Sequence, residues 1–304
     1  MEQDKNSNGN LIVYLLFVVI ALIWGLSFVV IKITLEDYSP VENLALRWGI
    51  SGILFIILKE LKILKISFKG KPVGSLILMC AFQPGIYSIF EAMGVEYATP
   101  SESSIIIGLI PLAVAVESAI IFKNKPTRKS VIGVIIGFTG LVFCIAFSDS
   151  FAAGSSIKGY IFLIVAMFSG SSYVLLCNKN SKYFSTSEIT CMMAVVGGIE
   201  YNIMSLLAGN GLRPYRVFLQ GGLSTWAILF LAIGCGMIAY AINNYNISKL
   251  PPVVASCIQQ NSINFVGVIA GIIISGDPWG WYTIVGLIMI SVGIVLTALK
   301  EEDS

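Results

Sequence analysis

Ten stretches of nearly unbroken apolar residues, each about 20 long, follow one another along the chain, with short polar breaks between them. A helix rises about 1.5 Å per residue, so each stretch is long enough to cross a hydrocarbon layer of roughly 30 Å. The pattern predicts spanning helices near 11–33, 40–58, 73–93, 100–122, 130–147, 159–177, 187–207, 224–246, 251–274 and 280–299. Only the turn Ser275-Gly276-Asp277-Pro278 separates the last pair. No run alternates as a strand of a membrane barrel does, and in lipid each backbone group must find its partner internally, so a helical bundle is expected. Leu11 to Ile31 is too long for the apolar core of a signal peptide. Its flank (Glu2, Asp4, Lys5) is barely basic and no A-x-A site follows. It reads as the first spanning helix.

The two halves of the chain are related. Gly25-Leu26-Ser27-Phe28-Val29 resembles Gly170-Ser171-Ser172-Tyr173-Val174, and Ser39-Pro40-Val41-Glu42 resembles Ser185-Thr186-Ser187-Glu188. Tyr87 matches Tyr240, which sets Glu91 against Asn244, while Gly133 and Gly140 match Gly286 and Gly293. The offsets stay between 145 and 153 residues. Five spans per half is an odd number, so the second copy must enter the membrane upside down. The expectation is an all-α integral membrane protein with ten transmembrane helices in two inverted five-helix repeats: 1–147, a linker at 148–158, and 159–304. Inverted repeats are a recurrent transporter plan, with the substrate near the midplane where the halves meet.

Composition and charge sharpen this. Of 304 residues, 56% are hydrophobic and only 12% charged, half the charge of a typical soluble domain. With both termini placed in the cytoplasm, fourteen Lys and Arg fall in inner segments (Lys5, Lys59, Lys62, Lys65, Lys69, Lys71, Lys123, Lys125, Arg128, Lys129, Lys179, Lys182, Lys249, Lys300). Three fall in outer ones (Lys158, Arg213, Arg216). That bias orients a multi-pass protein of the plasma or cytoplasmic membrane. Arg213 and Arg216 are exceptions with no account in the sequence. The chain has no histidine, its acids are scattered, and no P-loop occurs, so neither an enzyme nor direct ATP coupling is expected. No cofactor, metal or nucleic acid is implied. The cysteines (Cys80, Cys144, Cys177, Cys191, Cys235, Cys257) form no C-x-x-C pair and read as apolar packing residues.

Ala21-Leu22-Ile23-Trp24-Gly25-Leu26-Ser27-Phe28-Val29-Val30-Ile31-Lys32 resembles the first helix of EamA-type transporters of the drug/metabolite transporter superfamily. Ser39-Pro40 with Leu44-Ala45-Leu46-Arg47-Trp48 resembles the second, Glu96-Tyr97-Ala98-Thr99-Pro100 with Pro111 the fourth, and Gly133-Val134-Ile135-Ile136-Gly137-Phe138-Thr139-Gly140 the fifth. The likeness covers nearly the whole chain and implies a ten-helix proton-linked or exchange-type carrier of small metabolites. Asn124-Lys125 departs from the Gly-Glu pair frequent at the end of the fourth helix, whereas Gly276-Asp277 keeps an acid at the matching place in the second half. The ninth helix lacks a match to Pro111 and carries Gln259, Gln260, Asn261 and Asn264 instead.

Polar residues inside spans are costly and usually face a cavity or a partner. Glu42, Glu102 and Glu188 stand three residues after Ser39, Thr99 and Ser185 and read as capping boxes. Arg47 and Glu91 lie at compatible depths for an ion pair, either a structural lock or a switch in which Glu91 exchanges partners with a substrate amine or a proton. Glu117, near the cytoplasmic end of its span, either has a functional role or simply reaches the interface. Glu200, deeper and without a local partner, is the stronger candidate with Glu91 for proton coupling. The amides of the ninth helix are either interhelical glue or a cavity wall, and Gln260 and Asn264 share a face. Tyr240, Asn243 and Asn244 would complete one side of such a cavity; Trp24, Ser27, Gln83 and Tyr87 would complete the other. Glycines at 25, 137, 140, 267 and 271 read as sites of close helix approach, and Pro111 as structural. The function expected is a secondary transporter, an exporter or exchanger of amino acids or related amine or aromatic compounds, with the lipid bilayer and a small-molecule substrate as partners and protons as the candidate coupling ion. A membrane receptor or sensor for a small metabolite is the alternative.

Overall fold

The computed structural model describes residues 2–123, 127–147 and 157–298. Among these, every regular element is helical. The helices are α1 (Glu2–Thr34, spanning over Leu15–Thr34), α2 (Pro40–Glu60), α3 (Val73–Tyr97), α4 (Pro100–Ile121), α5 (Arg128–Ala146), α6 (Ile157–Asn180), α7 (Thr186–Leu207), α8 (Leu223–Lys249), α9 (Pro252–Ser275) and α10 (Trp281–Ala298). The first nine are long and apolar enough to cross a membrane; the apolar part of α10, Trp281–Thr297, is shorter. The expected linker lies outside the described residues up to position 156, as do Asn124, Lys125 and Lys300.

Local chemistry starts the helices where the sequence places them. Ser39, Thr99 and Ser185 each accept the backbone N–H three residues on, and Glu42, Glu102 and Glu188 each return a carboxylate to the cap's own N–H. These are the predicted capping boxes, and they satisfy N–H groups that have no partner within the helix. Glu188 also takes Ser67 N–H at 3.0 Å and the Lys71 ammonium at 2.5 Å. Glu102 accepts the Tyr160 hydroxyl at 2.7 Å. These carboxylates therefore also tie neighbouring segments together.

Four helices are not regular, which periodicity did not foretell. In α3 the chain leaves the helix at Gln83 (φ −139°, ψ 114°), before a cis Gln83–Pro84 bond. In α4 the first segment ends at Ile107 and a second begins at Ile110, with Pro111 in its first turn. Wide π turns occupy Phe230–Ala239 of α8 and Gly271–Ser275 of α9.

The packing carries the twofold relation between the halves. α2 lies against α7 and α5 against α10; α1 crosses to α8 and α9 just as α6 crosses to α3 and α4. The α5–α10 contact is close because glycines face each other. A Cβ at Gly293 would stand 2.6 Å from both the Gly133 carbonyl oxygen and the Gly137 nitrogen. Large apolar side chains such as Ile56, Ile135, Ile161 and Ile288 point outward, as a lipid-facing surface requires. The cysteines are all buried.

The ends of the bundle are tied by related but unequal contacts. At one end the Lys32 ammonium donates to the carbonyl oxygens of Val95, Glu96 and Ala98 at 2.9, 2.9 and 3.0 Å. It thereby caps the last turn of α3, whose carbonyls have no intrahelical donor. Asp277 at the same end accepts Ser101 N–H at 2.8 Å and caps α4. At the opposite end Asn178, one residue beyond the repeat partner of Lys32, donates to the Ile247 carbonyl at 3.1 Å.

Arg213 and Arg216 now acquire a setting. Tyr215 between them is anchored through its hydroxyl to Asn202 Oδ1 at 3.0 Å and the Ala45 carbonyl at 3.3 Å. Both arginines border a polar groove shared with Asp37, Tyr38 and Glu42.

Candidate functional site

The irregular middle of the bundle surrounds a cavity of about 40 Å³, room for roughly three waters at about 10–15 Å³ each. It is narrow and walled by both repeats. α1 contributes Trp24, Ser27 and Phe28; α2 contributes Arg47; α3 contributes Gln83, Tyr87 and Glu91. α6 adds Tyr173 and Val174, α8 adds Tyr240 and Asn243, and α9 adds Gln259, Gln260 and Ile263, with Ile107 and Ile110 of α4 as an apolar wall.

The charged part is one pair. Arg47 Nη1 stands 3.6 Å from Glu91 Oε2, and both side chains are buried at about 4% and 6% exposure. The Tyr87 hydroxyl donates to the other carboxylate oxygen, Oε1, at 2.8 Å. A separation of 3.6 Å is long for a charged hydrogen bond, and Arg47 Nε and Glu91 Oε2 have no hydrogen-bond partner in the protein. The guanidinium also lies 5.6 Å from the centre of the Trp48 ring. The pair is therefore compensated in charge but incomplete in hydrogen bonds.

The rest of the wall is aromatic and amide. Tyr240 is the hub: its ring meets Trp24 edge-on at 4.9 Å, Trp48 at 5.4 Å and Tyr173 at 6.3 Å. Its hydroxyl accepts the Gln83 amide, which also donates to Ser88 at 3.2 Å. Gln83 reaches inward because the backbone is extended there, and Pro84 prevents the helix from closing over it. The Tyr173 hydroxyl accepts from the Asn243 amide at 3.0 Å and donates to Asn244 Oδ1 at 2.5 Å. Asn243 Oδ1 and Gln260 Oε1 have no partner in the protein.

Most residues named from the sequence meet here, and four readings change. Asn244 and Asn264 do not line the cavity. Asn244 sits beyond the Tyr173 hydroxyl that it accepts, and its amide donates to Thr190 at 2.9 Å. Asn264 points into the interface with α4, where its amide fills the space a Cβ on residue 108 would need. Glu200 lies outside the cavity, partly buried against the kink of α3; its carboxylate oxygens are both 3.6 Å from where a Cβ on Gly85 would stand. Arg47, read as structural, belongs to the wall itself. Glu117 does not line the cavity and accepts the Ser172 hydroxyl at 2.9 Å. Ser27 lines the cavity, but its hydroxyl is spent on the Trp24 carbonyl at 2.7 Å.

Tyr173 was missed. The signal was present in the repeat, where Tyr173 matches Phe28: both face the cavity, and the second copy adds a hydroxyl.

A bundle of two five-helix inverted repeats around a central polar cavity defines a membrane transporter class. The chain belongs to the EamA-like transporter family, whose model matches residues 11–146 and again 157–299. It is 25% identical over 293 residues to the uncharacterized transporter YcxC of Bacillus subtilis, covering 95% of this chain and 93% of that one. It is 26% identical over 279 residues to an uncharacterized transporter of Archaeoglobus fulgidus, covering 91% and 95%. One crystal structure shares the fold with a TM-score of 0.69 over 94% of this chain and 96% of its own, at 15% identity.

Proposed function

We propose that this membrane transporter is a secondary carrier that moves small zwitterionic or amine-bearing metabolites, amino acids and related aromatic compounds among them, by alternating access as an exporter or exchanger. The observation that carries this reading is the incomplete Arg47–Glu91 pair at the edge of an aromatic cavity. A zwitterion entering between the two groups would give Glu91 Oε2 an ammonium donor and Arg47 Nε a carboxylate acceptor. Each partner would regain the hydrogen bonds it lacks, and neither charge would be left alone. Trp24, Tyr173 and Tyr240 offer ring faces and edges to an apolar or aromatic side group. Gln83, Asn243, Gln259 and Gln260 are left for its polar atoms.

The present cavity is too narrow for such a solute, so helices must part to admit it. The pseudo-twofold relation supplies two packings of related form, one open at each end. Glu91 is the candidate for proton coupling from within the site, and Glu200, outside it, is a candidate only through the α3 kink. The positive-inside bias supports a cell-membrane protein with both termini in the cytoplasm.

The test is a thermal-shift screen of purified protein against amino acids, amines, nucleosides and aromatic metabolites, followed by counterflow in proteoliposomes. A zwitterion that stabilises wild type but not Glu91→Gln, and exchanges across the bilayer, supports the reading. Stabilisation that survives in both Glu91→Gln and Arg47→Gln removes the pair from recognition. A ligand that stabilises the protein but never crosses would favour a sensor.

A further inference from the structure

Among the described residues, the crossing of α4 and α9 holds buried polar atoms that have no hydrogen-bond partner and that the cavity does not use. Asn264 is 2% exposed, and neither its Oδ1 nor its Nδ2 has a hydrogen-bond partner in the protein. Asn261 Oδ1, one turn away on the same helix, is likewise buried and unpaired. Opposite Asn264, α4 is interrupted between Ile107 and Ile110. Pro111 has no N–H, so the Ile107 carbonyl loses the donor that a continuous helix would supply. Gly108 lets the Asn264 amide lie directly on this break: a Cβ there would fall 1.9 Å from Oδ1 and 2.0 Å from Nδ2. Ser104, one turn before Gly108, packs on Gly267 of α9, with its Oγ 2.8 Å from where a Cβ would stand.

We infer that this crossing binds a monovalent alkali cation, Na⁺ in the first instance. Asn264 Oδ1 and Asn261 Oδ1 would coordinate it from α9, and the Ile107 carbonyl and Ser104 Oγ from α4. The oxygens are all neutral and hard, which suits an alkali cation rather than a transition metal. The break in α4 is what makes a backbone carbonyl available inside the membrane, and interrupted helices are where transporters hold their coupling ions. The ion would bind in only one relative placement of α4 and α9, one helix from each repeat, so its binding would favour the conformation that contains that crossing. Binding stands independently of the solute proposed above; only a coupling role rests on that reading.

The experiment is thermal stability of the purified full chain in NaCl, KCl or choline chloride at equal ionic strength, with no organic solute present, together with ²²Na⁺ scintillation-proximity binding. The expected result is a saturable rise in Tm and saturable ²²Na⁺ binding, both specific to Na⁺ over choline. Asn264→Ala should raise the half-saturating Na⁺ concentration by about tenfold or more, as loss of a ligand does at least as much as loss of its supporting partners. Asn264→Asp should lower it by adding charge to the ligand set, and it guards against a misfolded alanine variant. Equal stability of wild type in all three salts, or unchanged half-saturation in both variants, overturns the site. A solute response in Na⁺-free buffer keeps the central cavity reading alive whichever way this result falls.

Discussion

Replacing Glu91 by Gln tests the centre of the site. The guanidinium of Arg47 stays charged at any working pH, and among the described residues the carboxylate paired with it is Glu91. The substitution would leave a cation buried at about 4% exposure without a counter-charge. Removing one member of such a buried pair costs about 3–5 kcal/mol, more than the roughly 1 kcal/mol of an ordinary lost hydrogen bond. Arg47→Gln should cost a similar amount for the mirrored reason, with Glu91 then held only by the Tyr87 hydroxyl. The double variant Arg47→Gln/Glu91→Gln removes both charges and two desolvation penalties together. It should therefore lose less than the sum of the singles, with a coupling of about 2 kcal/mol or more. The assay is a double-mutant cycle on thermal or denaturant stability in detergent, run with and without a stabilising zwitterion. The double variant should fold but give no zwitterion-induced shift. Additive losses would refute the electrostatic argument, and a retained ligand shift in the double variant would refute recognition by the pair.

Lys32→Met removes three donors from the end of α3, but Lys32 and Ala98 border a water-accessible vestibule from which the freed carbonyls can be hydrated. The closed form should lose only about 1–2 kcal/mol, a shift of about tenfold toward opening at that end. A cysteine placed at Val29 should then react faster with a maleimide than in the Lys32 background, and equal rates would show that Lys32 is no latch. Gly293→Ala drives a methyl to within 2.6 Å of the Gly133 carbonyl, where backbone cannot yield, so a loss of about 1–3 kcal/mol is expected; an unchanged Tm would mean α10 is free to slide. Tyr173→Phe keeps the ring, as Phe28 does in the first repeat, but strips Asn243 and Asn244 of a shared hydroxyl. A loss of about 1–3 kcal/mol is expected, together with weaker ligand-induced stabilisation if the Asn243 amide is positioned through it; full stability would place water in the hydroxyl's role.

The positions of the helices, their starts at Ser39, Thr99 and Ser185, the pairing of the halves and the meeting of Arg47 with Glu91 were all legible in the sequence. Each depends on something local or periodic. A capping box is a four-residue pattern, a span is a length of apolar chain, and a buried charge inside a span must find an opposite charge at its own depth. The breaks in α3 and α4 were half legible. Pro84 and Pro111 remove donors, but whether a helix bends, widens or opens there depends on what fills the gap, and Asn264 from the other half of the chain is what lies on Gly108.

Direction around a helix was the part that only packing could decide. Asn243 and Asn244 are neighbours in sequence and share the Tyr173 hydroxyl, yet only Asn243 lines the cavity, because a step of one residue turns about 100°. Glu200 lies well inside α7, but no residue of α7 lines the cavity, and its carboxylate meets the kink of α3 instead. In a membrane a polar residue's depth follows from its place along an apolar run, because the bilayer sets that coordinate for every helix alike. Its azimuth has no such external reference when lipid and protein interior are equally apolar. The sequence alone therefore determined a membrane-spanning inverted repeat and the depth of its charges, and the tertiary structure decided which of the polar side chains at that depth share one cavity.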